Sequence, residues 1–469
     1  MSRGLTKIQA IAILAIIVVA GIGGYFMFLS GGGGEGGEQP EGVVLKIITR
    51  HSSTIWSLTK EKFLKTDLAK EYNIVDLKFL GPNPVLWRQT IESTGDIDVA
   101  WGGGPTLFDE LMKAGLLAPI TDEETLNVVA EIPDEFGGAP LKRLSNGEIV
   151  WVASAISSFG FIVNEPVLDE WGLPYPELWE DLASPEFGQL LPKPTVAYSR
   201  PTQSTSHTRI YEIILQKFGW EKGWAILARI AANGRPYSGS VEALSAVESG
   251  EVAVSIGIDF YGYSAEVQFP GNKYVLPYNE SIVNGDPIAL LKTSKHPDAA
   301  LAFIRWVLSV DGQKIWLDKK VNRMPVREDV FNTPEGKERP DLYNNYIATK
   351  NNIGIPFDDN LALSYEYSMR YYFDAVFADV HEDLVKAWSL IVSKYLKGEL
   401  TKEEFEYWAY ELGKPLTWEE NGKKVTFTLE FAQQINDGLR SGDLVSKYQR
   451  IWRDAAVARY NWIVQQLGG

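Results

Sequence analysis

The chain of 469 residues contains no cysteine. That excludes disulfides, thiolate metal sites and cysteine nucleophiles. It also excludes the lipid-modified cysteine that tethers many exported bacterial proteins. Histidine is scarce, with four in all. His51 has no second histidine or carboxylate at ligand spacing. No HExxH, GxxxxGK[ST] or GxSxG motif is present, and no GxGxxG follows a strand. The glycine cluster Trp101-Gly102-Gly103-Gly104 is a turn without the lysine of a phosphate-binding loop. Basic residues are outnumbered 61 to 45, a net charge of −16, which argues against nucleic acid or an anionic membrane surface as partner. It leaves an anionic small molecule open, because a cleft can differ in sign from the surface around it. No cofactor is expected, and no reaction.

What is present begins with an apolar run. Residues 8–29, IQAIAILAIIVVAGIGGYFMFL, carry no charge. A helix of ~22 residues at ~1.5 Å each spans a ~30 Å hydrocarbon core. Arg3 and Lys7 precede it, and the short segment after it carries only glutamates, so the amino terminus is expected inside the cell and the body outside. Residues 1–30 read as an uncleaved anchor or as a signal segment that is removed. Residues 31–42 form a Gly/Glu tether. Both readings export the remainder. Its 45% hydrophobic and 23% charged residues suit a large folded core.

In that body, strand-like runs such as VVLKIIT alternate with amphipathic helical stretches. This pattern predicts βαβ units and a parallel sheet. From Glu148 a near-continuous β run, EIVWVASAISSFGFIVN, is long enough for two strands. A second α/β lobe is predicted over 159–263, after a first part of lobe 1 at 43–158. A return to lobe 1 follows at 264–329. Crossings are expected at 159–164 and 259–264. Residues 330–469 are mostly of helical period, with a hairpin turning at Asn421-Gly422 and a closing amphipathic helix carrying Trp452, Ala455, Ala456, Tyr460 and Ile463.

Four stretches then carry a resemblance: PELWEDLASPEF, RPTQSTSHT running into GWEKGW, ESGEVAVSIGIDFYGYS, and NGDPIALLKTSKHPDAALAFIRWVLSVDGQKIW, followed by NRMPVRED. Their order and spacing resemble the extracellular solute-binding proteins of ABC importers, in the branch with ferric-ion, thiamine and phosphonate or phosphate-ester binders. The resemblance covers about 43–329. It implies an α/β, two-lobed type II periplasmic-binding-protein fold, here with a helical C-terminal extension. It also implies capture of a small solute in an interlobe cleft and delivery to an ABC permease with separate ATPase subunits. The expected protein is a monomer in the cell membrane, single-pass, with its body extracellular. A surface hydrolase and a ligand-sensing ectodomain without transport are the alternatives.

Three groups of residues are candidates for the ligand site. Gln203, Ser204, Thr205 and Ser206 precede a helix, where free N–H groups and hydroxyls hold anionic oxygen; the same residues also suit a helix cap. Asp259, Tyr261 and Tyr263 lie in the segment where ferric-ion binders of this family carry two adjacent tyrosines. Phe260 stands in the place of the first, so Tyr261 is a metal ligand only if iron is the solute. At the edge of lobe 1 stand Arg50, Ser52 and Ser53, with Gly103 and Thr106; Arg50 could pair bidentately with phosphate or carboxylate. Asp286 reads as a turn residue, and Tyr371-Tyr372 as helical core.

Overall fold

The computed structural model describes residues 42–352 and 354–468. The expected anchor, and all but the last residue of the tether, lie outside them. Among the described residues no helix is long and apolar enough to cross a membrane.

Lobe 1 begins with strand β1 (Val43–Thr49), helix α1 (Ser53–Phe63), β2 (Ile74–Leu80), β3 (Val99–Trp101) and α2 (Pro105–Lys113). The β run from Glu148 is a single strand, β4 (Glu148–Asn164). At ~3.3 Å per residue it is long enough to run through both lobes. Lobe 2 adds β5 (Val196–Ser199), α3 (Thr205–Phe218), α4 (Trp220–Asn233), β6 (Gly234–Tyr237), α5 (Ser240–Glu248), β7 (Val254–Ile258) and α6 (Asp259–Gln268). The chain then re-enters lobe 1 with β8 (Val283–Leu290) and α7 (Pro297–Leu308).

These strands form a sheet path β2-β1-β3-β8-β4-β7-β5-β6. β1 runs parallel to β2 and β3. The first half of β4 lies antiparallel to β8, and its second half lies antiparallel to β7. One strand therefore serves two sheets, which is why its apolar run shows no turn signal. In lobe 1, successive residues alternate between two cores, as the period of a strand requires. Ile47, Val99, Trp101 and Val152 face one cluster; Ile48, Ala100 and Trp151 face another.

Three passages join the lobes where two were expected, and the second lies elsewhere than expected. Residues 259–264, expected as a hinge strand, open helix α6, and the strand after it (Asn272–Val275) still pairs with Phe161–Asn164 of lobe 2. The second passage is therefore 276–282. A third follows the helix Pro340–Asn351, whose Leu342 and Tyr346 belong to the lobe 1 core. It runs beside the second passage, with the Ile355 amide donating to the Ser281 carbonyl at 3.0 Å.

Beyond it lie α8 (Asp359–Phe373), α9 (His381–Leu396), α10 (Lys402–Gly413), α11 (Leu429–Arg440) and α12 (Val445–Gln466). They share one continuous core with lobe 2. Phe373 stacks on Tyr211 at 4.2 Å, Tyr372 meets Trp224 edge-on at 4.8 Å, and Trp388 Nε1 donates to Asn233 Oδ1 at 2.6 Å. The expected hairpin joins Thr417–Glu420 to Lys423–Thr426, with positive φ at both Asn421 and Gly422. In α12, Trp452, Ala456, Tyr460 and Ile463 are buried as a stripe.

Candidate functional site

The cleft between the lobes encloses a cavity of about 390 Å³, within the range of small-molecule sites. Helix starts converge on it. α2 follows three glycines with positive φ, at Gly102, Gly103 and Gly104. Glycine is needed here for space as well: a Cβ at Gly102 would lie 2.7 Å from the His51 ring, and one at Gly103 3.0 Å from Arg50 Cγ. α3 is capped by Ser204, whose Oγ accepts from the His207 amide at 3.2 Å. That hydroxyl also lies 2.7 Å from Ser240 Oγ at the start of α5. α6 presents Phe260 and Tyr261. The first turn of each helix leaves amides without intrahelical partners and a partial positive charge.

Lobe 1 faces the cavity with a buried network. Asp286 Oδ1 accepts from the amides of Gly103 and Gly104, at 2.7 and 3.1 Å. Its Oδ2 lies 2.7 Å from Arg323 Nη2. Arg323 also donates to His51 Nδ1 at 2.8 Å and Ser157 Oγ at 3.1 Å. Burial opposes the Asp286 charge, but Arg323 and the two amides outweigh it and hold the carboxyl below its usual range. Burial, with Arg323 beside it, pushes His51 down to about 3, so the ring is neutral and accepts from Arg323. Asp286 is thus a strand residue in a buried ion pair. The expectation of a turn came from its Asn-Gly-Asp-Pro setting, which β8 absorbs as a register shift beside Pro287.

Arg50 also lines the cavity and, among the described residues, has no carboxylate partner. Gly103, Thr106, Gln203, Ser204, Thr205, Ser206 and Tyr261 line it too. Thr106 accepts a hydrogen bond from Arg209 of lobe 2. The hydroxyls of Thr205 and Ser206 make no hydrogen bond among the described residues. Four candidates do not line the cavity. Ser52 and Ser53 are exposed at the start of α1, because the chain turns at His51, whose ring takes the inward position. Asp259 is buried behind the wall, accepting from Ser158 N at 2.8 Å and from Phe260 N at 2.7 Å. Tyr263 points into the lobe 1 core, near Met324.

Other lining residues did not stand out as site residues in the sequence. Arg209 and Glu212 sit one turn apart in α3, both buried, with Nη1 and Oε2 3.4 Å apart. Arg209 also donates to Asp359 Oδ1 at 3.0 Å. Glu366, Tyr367 and Arg370 come from α8. A signal existed for the first pair: two opposite charges at i,i+3 in SHTRIYEIIL, a stretch otherwise rich in apolar residues, mark a buried pair rather than a solvated edge. Glu366 and Arg370 carry a similar mark at i,i+4 in α8; Arg323 carries none.

The pattern defining the bacterial extracellular solute-binding proteins matches residues 52–314. The chain belongs to that family. Among curated relatives of this solute-binding protein, the phosphoglycerate transport regulatory protein of Salmonella typhimurium is 32% identical over 194 residues, 41% of this chain and 47% of that protein. The chain thus spans about half the length of that relative. Among solved structures, the periplasmic binding protein P5PA has a TM-score of 0.53 at 20% identity, covering 69% of this chain and 94% of its own. AfuA from Actinobacillus pleuropneumoniae, solved with exogenous fructose-6-phosphate bound, has a TM-score of 0.51 at 18% identity, covering 65% and 98%. At such identities the likeness establishes the fold, a two-lobed type II periplasmic-binding-protein architecture. The family match ends at Lys314, so α8–α12 lie outside it.

Proposed function

We propose that this solute-binding protein is the capture component of an ABC uptake system and that its solute is a small anionic phosphorus compound. The observation that carries the reading is Arg50, a cavity arginine without a carboxylate partner among the described residues, in one cavity with the starts of α3, α5 and α6. Guanidinium, first-turn amides and the hydroxyls of Thr205 and Ser206 are donors suited to a phosphate or carboxylate group. Similarity to a phosphoglycerate transport regulatory protein and to a fold solved with a sugar phosphate supports this class.

Iron is less well served. Phe260 replaces one phenolate of the family's pair, and the Arg323 guanidinium lies over its ring at 4.6 Å. The Arg50 guanidinium, which has no carboxylate partner among the described residues, repels a bare trivalent cation in the same cavity. A thiamine-like cation meets the same arginines.

In this reading residues 1–30 hold the protein in the membrane and the body works outside as a monomer, handing solute to a permease driven by separate ATPase chains. The lobes close by bending at the three passages, and the solute favours the closed form because it touches both lobes only there. No reaction is part of the reading. Calorimetry on the full-length protein in detergent, titrated with 3-phosphoglycerate, a hexose phosphate, inorganic phosphate, ferric citrate and glucose, tests it. A phosphate ester at ~100 times Kd should add about 2.7 kcal/mol of stability. Binding of glucose or ferric citrate alone would overturn the assignment. Protease added to intact cells should release the body, cut within residues 31–42; protection until lysis would defeat the topology.

A further inference from the structure

Helix α8 lies outside the residues the family pattern matches, yet it forms a wall of the ligand cavity through Glu366, Tyr367 and Arg370. The wall is firmly held. Arg370 donates to Glu366 Oε1 at 3.2 Å and to the carbonyls of Pro201 and Thr202 at 3.1 and 3.4 Å, in the loop that leads to Ser204. On the opposite side of α8, Tyr365 and Tyr372 sit in the lobe 2 core. The wall therefore belongs to lobe 2 and travels with it.

The charged groups around the cavity fall into two sets. Arg50, Arg323, Asp286 and Glu242 form the first. Arg209 and Arg370 form the second, with Glu110, Glu212 and Glu366; behind them Arg440 pairs with Glu110 and Asp359 with Arg209, each at 3.0 Å. Burial pushes the Glu212 carboxyl up, so the two lining arginines, Arg209 and Arg370, face two ionised carboxylates, Glu110 and Glu366. Glu212 Oε1 makes no hydrogen bond, and Arg209 Nη1 makes none beyond its 3.4 Å ion pair with Glu212 Oε2. Buried polar atoms of this kind await a partner.

We infer that α8 builds a second ligand subsite, in which Glu366, Tyr367 and Arg370 beside Arg209 and Glu212 take a neutral, hydroxyl-bearing part of the solute, so that the solute is a phosphorylated polyol. The inference rests on the anion reading given above. A hydroxyl donates to a carboxyl oxygen and accepts from a guanidinium at once, which suits interleaved donors and acceptors of balanced charge. An ammonium group would need a net negative site. An apolar group would leave Glu212 and Arg209 unsatisfied.

The test is calorimetry on full-length protein with inorganic phosphate, a hexose phosphate and O-phosphoethanolamine. The parent should bind the hexose phosphate tightest, by about tenfold or more over inorganic phosphate. Glu366→Ala should weaken the hexose phosphate by about tenfold more than it weakens inorganic phosphate. Tyr367→Phe, which deletes one hydroxyl and keeps the ring, should move the same ratio in the same direction, and serves if Glu366→Ala does not fold. Equal losses for both probes, equal affinity of the parent for both, or tightest binding of O-phosphoethanolamine would each overturn the subsite. If the parent binds the hexose phosphate and inorganic phosphate equally well, only the subsite falls. If it binds none of the three probes, the anion reading falls and takes the subsite with it.

Discussion

Lobe 1 offers the cavity polar groups that are already joined to one another: the amides of Gly103 and Gly104 to Asp286, Asp286 to Arg323, and Arg323 to His51 and Ser157. Lobe 2 offers helix starts and the hydroxyls of Thr205 and Ser206, which make no such bonds. The difference separates support from recognition. A buried ion pair that satisfies itself gives the wall its shape and little affinity, because a ligand would have to break it. A helix start with open donors is ready for an anion without rearrangement. Arg50 is the exception on lobe 1, and it stands outside the network.

The largest effect should come from breaking the lobe 1 network. Arg323→Met leaves Asp286 buried beside two amides with no cation. The loss should be about 3–5 kcal/mol of unfolding free energy, as for other buried pairs cut on one side. The double variant Arg323→Met/Asp286→Asn should regain most of it. Chemical denaturation of both, without ligand, measures the comparison directly. A loss below about 1 kcal/mol for the single variant would mean that the pair is solvated and the network is no scaffold.

Arg50→Ala should do the reverse. We expect an affinity loss of about 1.5–3 kcal/mol for a phosphate ester, roughly 10- to 150-fold, with stability within about 0.5 kcal/mol of the parent. Ser206→Ala should follow the same pattern on the lobe 2 side. If Arg50→Ala binds as tightly as the parent, lobe 1 takes no part in recognition and the exception disappears.

Much of this division was legible in the sequence. Alternating strands and helices gave two lobes, the polar loop before α3 gave Gln203 to Ser206, and the strand ends gave Arg50, Gly103 and Thr106. Position in a βαβ unit fixes such groups locally. The long-range polar contacts were not legible, because packing brings distant segments together: Arg209 reaches Thr106 across 103 positions, and Arg323 reaches His51 across 272. A charge in a helix or an exit segment reads as solvated until its partner is known. Asp259 and Tyr263 were misplaced for a related reason. Their segment is helical, so only some of its residues face the cleft, whereas the family likeness treated the stretch as one contact loop.

Acid and alkali should act on different buried groups. In the folded chain Glu212 titrates at about 8 against an ordinary 4.5, and Asp259 at about 7 against 3.8. Between those values the folded state holds protons the unfolded chain has lost, so stability falls as pH rises. His51 and His207 behave oppositely, held at about 3 against 6.5. The unfolded chain binds more protons in that window, so stability rises with pH up to about 6.5. Above it only the carboxyl effect remains. From pH 6.5 to 8 Glu212 should lower stability as it ionises. Glu212→Gln should flatten that limb. An unchanged slope would show that Glu212 ionises freely in the folded protein and belongs with the open groups of lobe 2.

The smallest expected effect divides lobe 2 within one loop. Ser204 and Ser206 are two residues apart, both lining the cavity, but only Ser204 is committed to the fold. Its Oγ caps α3 through the His207 amide and touches Ser240 Oγ. Removing an N-cap hydroxyl costs about 1 kcal/mol, so Ser204→Ala should lower stability by that amount in the absence of ligand. Ser206 makes no such bond, so Ser206→Ala should leave unliganded stability within about 0.5 kcal/mol of the parent. The pair of denaturation curves separates capping from recognition in residues that look alike in sequence. If both variants lose stability equally, the loop is a structural unit throughout, and the contrast between a satisfied lobe 1 and an open lobe 2 narrows to Thr205 and the helix amides.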